Sequence, residues 1–475
     1  MDVPADFGLE LAPGVRRLDG GGVLVGGAPL RIMRLSAAGR RAVDAFAHGD
    51  PVGASAGRRA LARRLLDAAM ANPRPTKPGT LTPADVTAVI PVKDDPGGLA
   101  RTLAALGALA HVIVVDDGSE RPVVGGTVIR HHRARGPAAA RNNGWATAST
   151  GLVAFVDADC EPSPGWLTAL LPHFDDPAVA AVAPRVTSRP DPALPPALAI
   201  YEAQRGPLDR GARPAIVRPL SPVPYVPTAA LVVRRAALEQ VGGFYEALRF
   251  GEDVDLVWRL GAAGHTVRYE PATTVTHPTR RSAPAWARQR FDYGTSAAPL
   301  ARRHGKAVAP LRLSGWSAAA WALVLAGRPV AGLSVAAVST ALLGPRLSGL
   351  EHPWREAVRL AGGGNAYAGR YVADALTRSW WPLALTTGVL WRRSRPALVA
   401  AFTVPALAEW VAERPPIGPG RWVAMRLADD LCYGAGVWAG TIRGRTAAAL
   451  RPDLVSWPGR AQTPSTETND TISPG

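Results

Sequence analysis

Leu152-Val153-Ala154-Phe155-Val156-Asp157-Ala158-Asp159 is the stretch on which the fold of this chain turns. Five apolar residues after Gly151, too few for a stable helix, read as a buried strand, and the lack of polar alternation points to a strand covered on both faces. Residues two apart on an extended chain project to the same side, so Asp157 and Asp159 would face one space just past the strand's end. Outward from this run the same punctuation recurs. Val86–Val92 is a short strand followed by Asp94-Asp95, residues 111–115 form another followed by Asp116-Asp117-Gly118-Ser119, and Val128-Ile129 is a further one. Residues 98–109, 138–147 and 166–174 read as the intervening helices. Strand and helix in alternation predict an α/β domain with a Rossmann-like, mostly parallel sheet and helices on both faces. Ligands of such sheets lie outside the carboxyl ends of the strands, so the three acidic pairs could converge on one crevice.

At 475 residues the chain is too long for one core, and two to four domains are expected. A formal charge of +16 would ordinarily raise nucleic acid as a partner. Of the 54 basic residues only Lys77, Lys93 and Lys306 are lysine, and the arginines are scattered with no basic run interleaved with aromatics, which argues against a nucleic-acid face. Cys160 and Cys432 offer neither metal-ligand spacing nor a disulfide framework, so a reducing compartment fits, and Cys160 reads as a small buried spacer. No basic stretch followed by an apolar segment opens the chain, so no secretory signal is expected.

Residues 1–75 read as a small α+β domain. It has a strand at Val23-Leu24-Val25, an alternating segment over 30–35, a helix Ala37–Ala47 capped by Ser36, and a second helix over 58–71 with Leu61, Leu65, Leu66 and Ala69 on one face. The Pro-rich stretch 72–83 then reads as a linker, which we place at 76–85. Residues 86–301 form the α/β domain, 302–456 an apolar, Trp-rich helical region, and 457–475 a polar tail expected to be disordered. Within the apolar region Arg328-Pro329 splits 316–343 into halves shorter than the ~20 residues a membrane span needs. Segments 383–390 and 396–411 repeat this character, with Trp380, Trp381, Trp391 and Trp410 beside them as interfacial anchors would be. A kinked or re-entrant membrane hairpin, helices lying in the interface, and ordinary core helices all fit.

The chemistry follows from the acids. A carboxylate pair at a strand's end can hold Mg²⁺ or Mn²⁺ against a diphosphate, because hard cations take oxygen ligands together with substrate phosphates. Asp157 and Asp159 are the candidate metal ligands. Asp117, with Gly118 for the tight turn, can accept a hydrogen bond from uracil N3–H. Pro91 and Asp94 stand where a ribose or base would lie, and Arg141 can pair with donor phosphate or lock an aspartate. These residues with Asp157 are the expected contacts of a UDP-sugar. Glu252-Asp253-Val254-Asp255 opens a helical pattern; acids favour a helix N-terminus in any case, but Asp253 or Glu252 can also act as general base for an acceptor hydroxyl. Direct displacement by that hydroxyl inverts the anomeric centre. Gln289-Arg290-Phe291 is a lesser candidate for acceptor or diphosphate contact.

Residues 86 to about 301 resemble family 2 glycosyltransferases of the GT-A fold. The resemblance runs through Val89-Ile90-Pro91-Val92, Val114-Val115-Asp116-Asp117-Gly118-Ser119, Ala139-Ala140-Arg141-Asn142-Asn143-Gly144, Phe155-Val156-Asp157-Ala158-Asp159, Val241-Gly242-Gly243-Phe244 and Glu252-Asp253-Val254-Asp255-Leu256. It implies a metal-dependent inverting transferase with Asp117 near the uracil, Asp159 on the metal and Asp253 as base. Lys93-Asp94 departs from the usual Tyr-Asn, and Gln289-Arg290-Phe291 departs from the Gln-x-x-Arg-Trp of processive synthases. The whole layout is similar to the mycofactocin-system glycosyltransferases of actinobacteria, and residues 30–73 resemble the PqqD-like peptide-recognition fold, a small winged-helix type. This resemblance implies transfer of glucose from UDP-glucose to the peptide-derived cofactor premycofactocin, building a short β-1,4-linked oligoglucoside. The N-terminal domain would bind precursor peptide or partner, and the active site would be cytoplasmic, at the inner face of the membrane. The rival within the enzyme class acts on a polyprenyl-phosphate lipid or a cell-envelope polysaccharide. A non-catalytic nucleotide-binding scaffold is disfavoured by the intact acidic elements. A dehydrogenase is disfavoured because no Gly-x-Gly-x-x-Gly follows the first strand.

Overall fold

The computed structural model describes residues 2–107 and 109–456; the expected disordered tail lies outside them. A mixed sheet dominates the transferase part. Its strands run in the order Glu161–Pro162, Thr266–Pro278, Val179–Arg189, Ala230–Arg234, Leu152–Val156, Val86–Val92, His111–Asp116 and Thr127–Arg130, with Ala215–Ile216 added on Thr266–Pro278. From Leu152–Val156 to Thr127–Arg130 the neighbours are parallel, as expected. Beyond that point the sheet is mixed: Val179–Arg189 and Thr266–Pro278 pair parallel, but the strand before them does not follow the expectation. Ala230–Arg234 runs antiparallel to both its neighbours, inserted between strands that face the same way. Its register sets Ala230 opposite Val156, so the chain enters this strand beside the end of the Asp157–Asp159 run.

Central burial explains the apolar runs: every residue of Leu152–Val156 is buried, and its neighbours supply Val86 and Val232 to the same core, which Val182 of the next strand joins. Pro91 lies in an interior strand yet spoils no ladder. The pairing with Leu152–Val156 stops at Val89, so the missing N–H falls where no partner is due. Helix Pro96–Leu106 starts two residues earlier than the sequence suggested, capped by Asp95, and stops at Gly107. The segment over 166–174 divides into an α-helical turn, Trp166–Leu170, and a 3-10 stretch through Asp175. Helix Pro137–Thr147 packs tightly on the sheet at Gly144, where a Cβ would stand 2.3 Å from Val89 Cγ1.

The N-terminal residues form a three-stranded sheet (Arg16–Leu18, Val23–Gly26, Arg31–Arg34) and helices Ala37–Ala47 and Ala56–Asp67 over a core of Leu24, Val43, Phe46, Leu65, Leu66 and Met70. Ser36 caps the first helix through Gly39 N at 3.1 Å. Part of the expected linker is structure: Ala71–Arg74 pairs antiparallel with Gly8–Leu11, closing the unit on itself.

The described residues divide into two units, 2–307 with 410–446, and 308–409 with 447–456. The region grouped as 302–456 from its composition is therefore interrupted, because helix Pro419–Arg443 belongs to the first unit. There it buries the polar residues Arg426, Asp429 and Asp430, which an apolar reading of the segment passes over. The second unit is helical, with Val372, Leu376, Ala384 and Leu398 in its core. Residues Pro329–Leu347 and Arg392–Glu413 are each long and apolar enough to cross a membrane, so the expected shortness of these segments does not hold. Of their apolar windows 17% and 11% are buried, while Gly315–Leu325 and Trp381–Leu390 are short, as expected.

Candidate active site

Arg141 is the hub. It lies in helix Pro137–Thr147, buried, with Nη2 donating to Asp157 Oδ1 at 2.6 Å and Nη1 to Glu252 Oε1 at 2.9 Å. Burial alone would weaken its charge, but Asp157 and Glu252 hold it firmly protonated. One planar guanidinium thus fixes the DxD loop to the start of helix Glu252–Ala262, a reach that a lysine's single ammonium could not duplicate. The two asparagines that follow are equally employed. Asn142 brackets Phe244 through that residue's N–H and carbonyl, and Asn143 meets His131 Nε2 at 2.7 Å.

Asp117 anchors the same helix from its other end. Its carboxylate accepts from Arg135 N and Gly136 N at 2.8 Å each, just before the helix starts, and meets His131 Nδ1 at 2.7 Å. The chain Asp117, helix, Arg141, then Asp157 and Glu252 connects the loops after two strands with the start of helix Glu252–Ala262. The sequence offers Asp117 to a uracil; in the fold most of its acceptor capacity goes to protein donors. Asp94, at positive φ (55°), accepts from Glu120 N at 2.7 Å and donates its own N–H to Ser119 Oγ, tying the first two strand-end loops together. Asp95 is consumed as a helix cap and Asp116 is structural. Burial pushes the Asp116 carboxyl up, but bonds from Ser119 and Val123 and the charge of Arg130 leave it below the usual range.

Asp157 and Asp159 are both partly exposed just past the carboxyl end of Leu152–Val156. Burial first, and then the charge of Asp157, push the Asp159 carboxyl up, so two negative groups share a confined space that a cation would relieve. His277, on strand Thr266–Pro278, brings Nε2 to 3.7 Å from Asp159 Oδ2. No pattern in the sequence marks His277: it lies more than a hundred residues from the acids and carries no local motif. Among the described residues no three His, Cys, Asp or Glu side chains close round a common point. The donor set therefore suits a cation completed by substrate phosphate oxygens rather than an all-protein cage. Cys160 is buried and its thiol is pushed well up by burial, which fits a spacer.

Gly251, at φ 80°, turns the chain into helix Glu252–Ala262 in a conformation that side chains resist. Glu252 spends a carboxylate oxygen on Arg141. Asp253 is half-buried, and burial followed by the charge of Glu252 pushes its carboxyl up to about 7. A carboxylate so raised is a better proton acceptor than a free aspartate. Asp255, the third acid, is spent on Arg259, Arg303 and His304. The expected substrate contact from Arg290 does not hold. It is buried against Glu202 and Asp429, away from solvent.

A mixed sheet with acidic loops at its strand ends is the architecture of a GT-A transferase, and the comparisons agree. The Glycosyl transferase family 2 profile matches residues 87–242. The chain belongs to glycosyltransferase family 2. It is 41% identical over 473 residues to the pre-mycofactocin glycosyltransferase of Mycobacterium tuberculosis, spanning 95% of this chain and 98% of that one. The succinoglycan biosynthesis protein ExoU of Rhizobium meliloti is 35% identical over 210 residues, 38% of this chain and 58% of its own. Among solved structures, a mannosyltransferase of Pyrobaculum calidifontis with GDP-Man and Mn²⁺ aligns over 77% of this chain and 91% of its own, at 16% identity and a TM-score of 0.40.

Proposed function

We propose that this chain moves glucose from UDP-glucose to premycofactocin with inversion, building a short β-1,4-linked oligoglucoside. The observation that carries the reading is the end-to-end similarity to a pre-mycofactocin glycosyltransferase, which extends through the N-terminal unit and the C-terminal helices and is not confined to the catalytic motifs. Asp157 and Asp159 would hold Mg²⁺ or Mn²⁺, with His277 beside them. Such an ion, when bound, offsets the charge that develops on the departing diphosphate. Arg141 keeps Asp157 oriented and keeps Glu252 paired, so that Asp253 alone at that helix start is free to take a proton. As the acceptor oxygen attacks the anomeric carbon, its proton passes to Asp253, the bond to the diphosphate oxygen breaks, and UDP leaves. Pro91, Asp94 and the remaining acceptor capacity of Asp117 lie along the strand ends where the nucleoside would sit. The N-terminal unit would present the peptide-derived acceptor, and the exposed apolar helices of the second unit would hold the enzyme on the inner face of the cell membrane.

The test is incubation of purified protein with UDP-glucose and premycofactocin, reading successive hexose mass increments. No increment on this acceptor, with hexose appearing on a polyprenyl phosphate instead, would overturn the proposal in favour of the lipid reading. That alternative draws its support from the exposed helices Pro329–Leu347 and Arg392–Glu413.

A further inference from the structure

Tyr293, in helix Ala283–Thr295, stands beside the start of the helix that carries Asp253. Its ring meets Phe250 edge-on, with centroids 6.4 Å apart, and Phe250 immediately precedes Gly251 and the Glu252-Asp253 pair. Just past the end of its own helix, Ser296 Cβ lies 3.1 Å from where a Cβ on Gly251 would be, so the Ser296 side chain packs on that glycine. The phenol oxygen accepts from Gln289 Nε2 at 3.1 Å, which leaves its own proton to be donated elsewhere. Burial first, with the negative charge of Asp253 contributing, keeps that phenol protonated and so a donor.

Behind Tyr293 stands a buried polar chain. Gln289 Oε1 accepts from Arg290 Nη1 at 2.9 Å. Arg290, 2% exposed, pairs with Glu202 and sends Nε to Asp429 Oδ1 at 3.1 Å. Trp286 Nε1 completes Glu202 at 2.8 Å, and Tyr201 OH completes Asp429 at 2.9 Å. Asp429 lies on helix Pro419–Arg443, which presses on the tyrosine's helix at glycines: a Cβ on Gly294 would stand 2.0 Å from Tyr433 O, and one on Gly436 1.9 Å from Phe291 O. Burying charges this deeply is costly unless each is paired in fixed geometry, so the cluster sets register more than it adds stability.

We propose that Tyr293 is a catalytic residue on the acceptor side, donating its phenol hydrogen bond to the acceptor oxygen as Asp253 removes that oxygen's proton, and that Gln289, Arg290 and Asp429 are positioning residues that aim it. The acceptor proton goes to Asp253 and the phenol keeps its own; the donated bond stabilises charge building on the attacking oxygen. The proposal rests on the transferase reading above, with Asp253 as base. Helix Pro419–Arg443 is on this account part of the catalytic apparatus.

The experiment compares the full-length wild type with Tyr293→Phe, Asp429→Asn and the double variant, using UDP-glucose and premycofactocin. The readouts are kcat, acceptor KM, UDP-glucose affinity and Tm. Tyr293→Phe should lower kcat roughly ten- to hundredfold, with UDP-glucose affinity unchanged. Asp429→Asn should reproduce that kcat loss, and the double variant should be no slower than Tyr293→Phe alone. If Asp429→Asn does not fold, Gln289→Leu, which breaks the same chain at a half-buried position, takes its place. Wild-type kcat in Tyr293→Phe overturns the catalytic role, and a double variant whose losses multiply overturns the positioning role. A wild type that binds UDP-glucose but glucosylates no premycofactocin fails the transferase reading itself, a different result from either.

Discussion

Asp253, the proposed base, carries the first prediction. With its carboxyl raised to about 7, transfer should climb as pH rises through that value, because the base acts only when deprotonated. Stability runs the other way. The folded carboxyl binds its proton more tightly than the unfolded one at 3.8, so its contribution is lost as pH rises from about 4 to about 7. Asp253→Asn should therefore cut transfer by about a hundredfold or more while keeping UDP-glucose affinity. It should also melt higher than wild type at pH 8 but not at pH 4. Transfer at wild-type rate in this variant would dismiss Asp253 as base. Arg141→Lys tests the clamp. Losing one arm of a buried pair leaves a carboxylate uncompensated at a cost of about 3–5 kcal/mol, so Tm and transfer should fall together. At this scale the sequence revealed the residue types and little of their duties. Asp116, Asp117 and Asp255 are as eligible as Asp253 in a string of letters. Only the positions of Arg130, His131, Arg259 and Arg303 show which carboxylates are already spent.

Elements meet at glycines here, and the consequences are mechanical. Gly144 lets helix Pro137–Thr147 lie on Val89, and a Cβ at 2.3 Å would force apart the helix that carries Arg141. Gly144→Ala should cost about 1–3 kcal/mol, read as a lower denaturant midpoint, and should lower UDP-glucose affinity as Arg141 shifts. The strands Val86–Val92 and Leu152–Val156 and helix Ala37–Ala47 fall where the pattern of apolar residues and caps puts them, because burial and local capping are encoded in adjacent residues. The antiparallel Ala230–Arg234 and the pairing of Ala71–Arg74 with Gly8–Leu11 are illegible in the sequence for the opposite reason. Strand direction and partner depend on residues far off in the chain, and Pro73 gives Ala71–Arg74 the composition of a linker.

At the scale of the whole molecule, the N-terminal unit is joined to the transferase by Arg63 with Asp176 at 2.7 Å and by Arg218 donors to the carbonyls of Ala28 and Asp67. Removing residues 1–75 should spare UDP-glucose hydrolysis and depress transfer to premycofactocin; full transfer without them would end the recognition role. The second unit exposes Leu333, Val389 and Leu390 by 69%, 73% and 81%, next to Arg328, Arg392 and Arg393. The full-length protein should co-sediment with anionic vesicles and not with neutral ones, with the difference shrinking as salt screens the arginines. Equal recovery of the protein in the supernatant with both vesicle types would contradict the membrane assignment. By itself the sequence determined the alternation of strands and helices, the acidic strand ends and the family they define, since periodicity, turns and motifs are written in neighbouring residues. Tertiary structure alone decided which acids are spent on protein partners, that one arginine joins two of the loops, and that helix Pro419–Arg443 from the far end of the chain packs on helix Ala283–Thr295. Those contacts join separate elements, from Arg130 with Asp116, 14 positions apart, to Arg290 with Asp429, 139 apart, and such pairing is settled by packing and charge compensation in space.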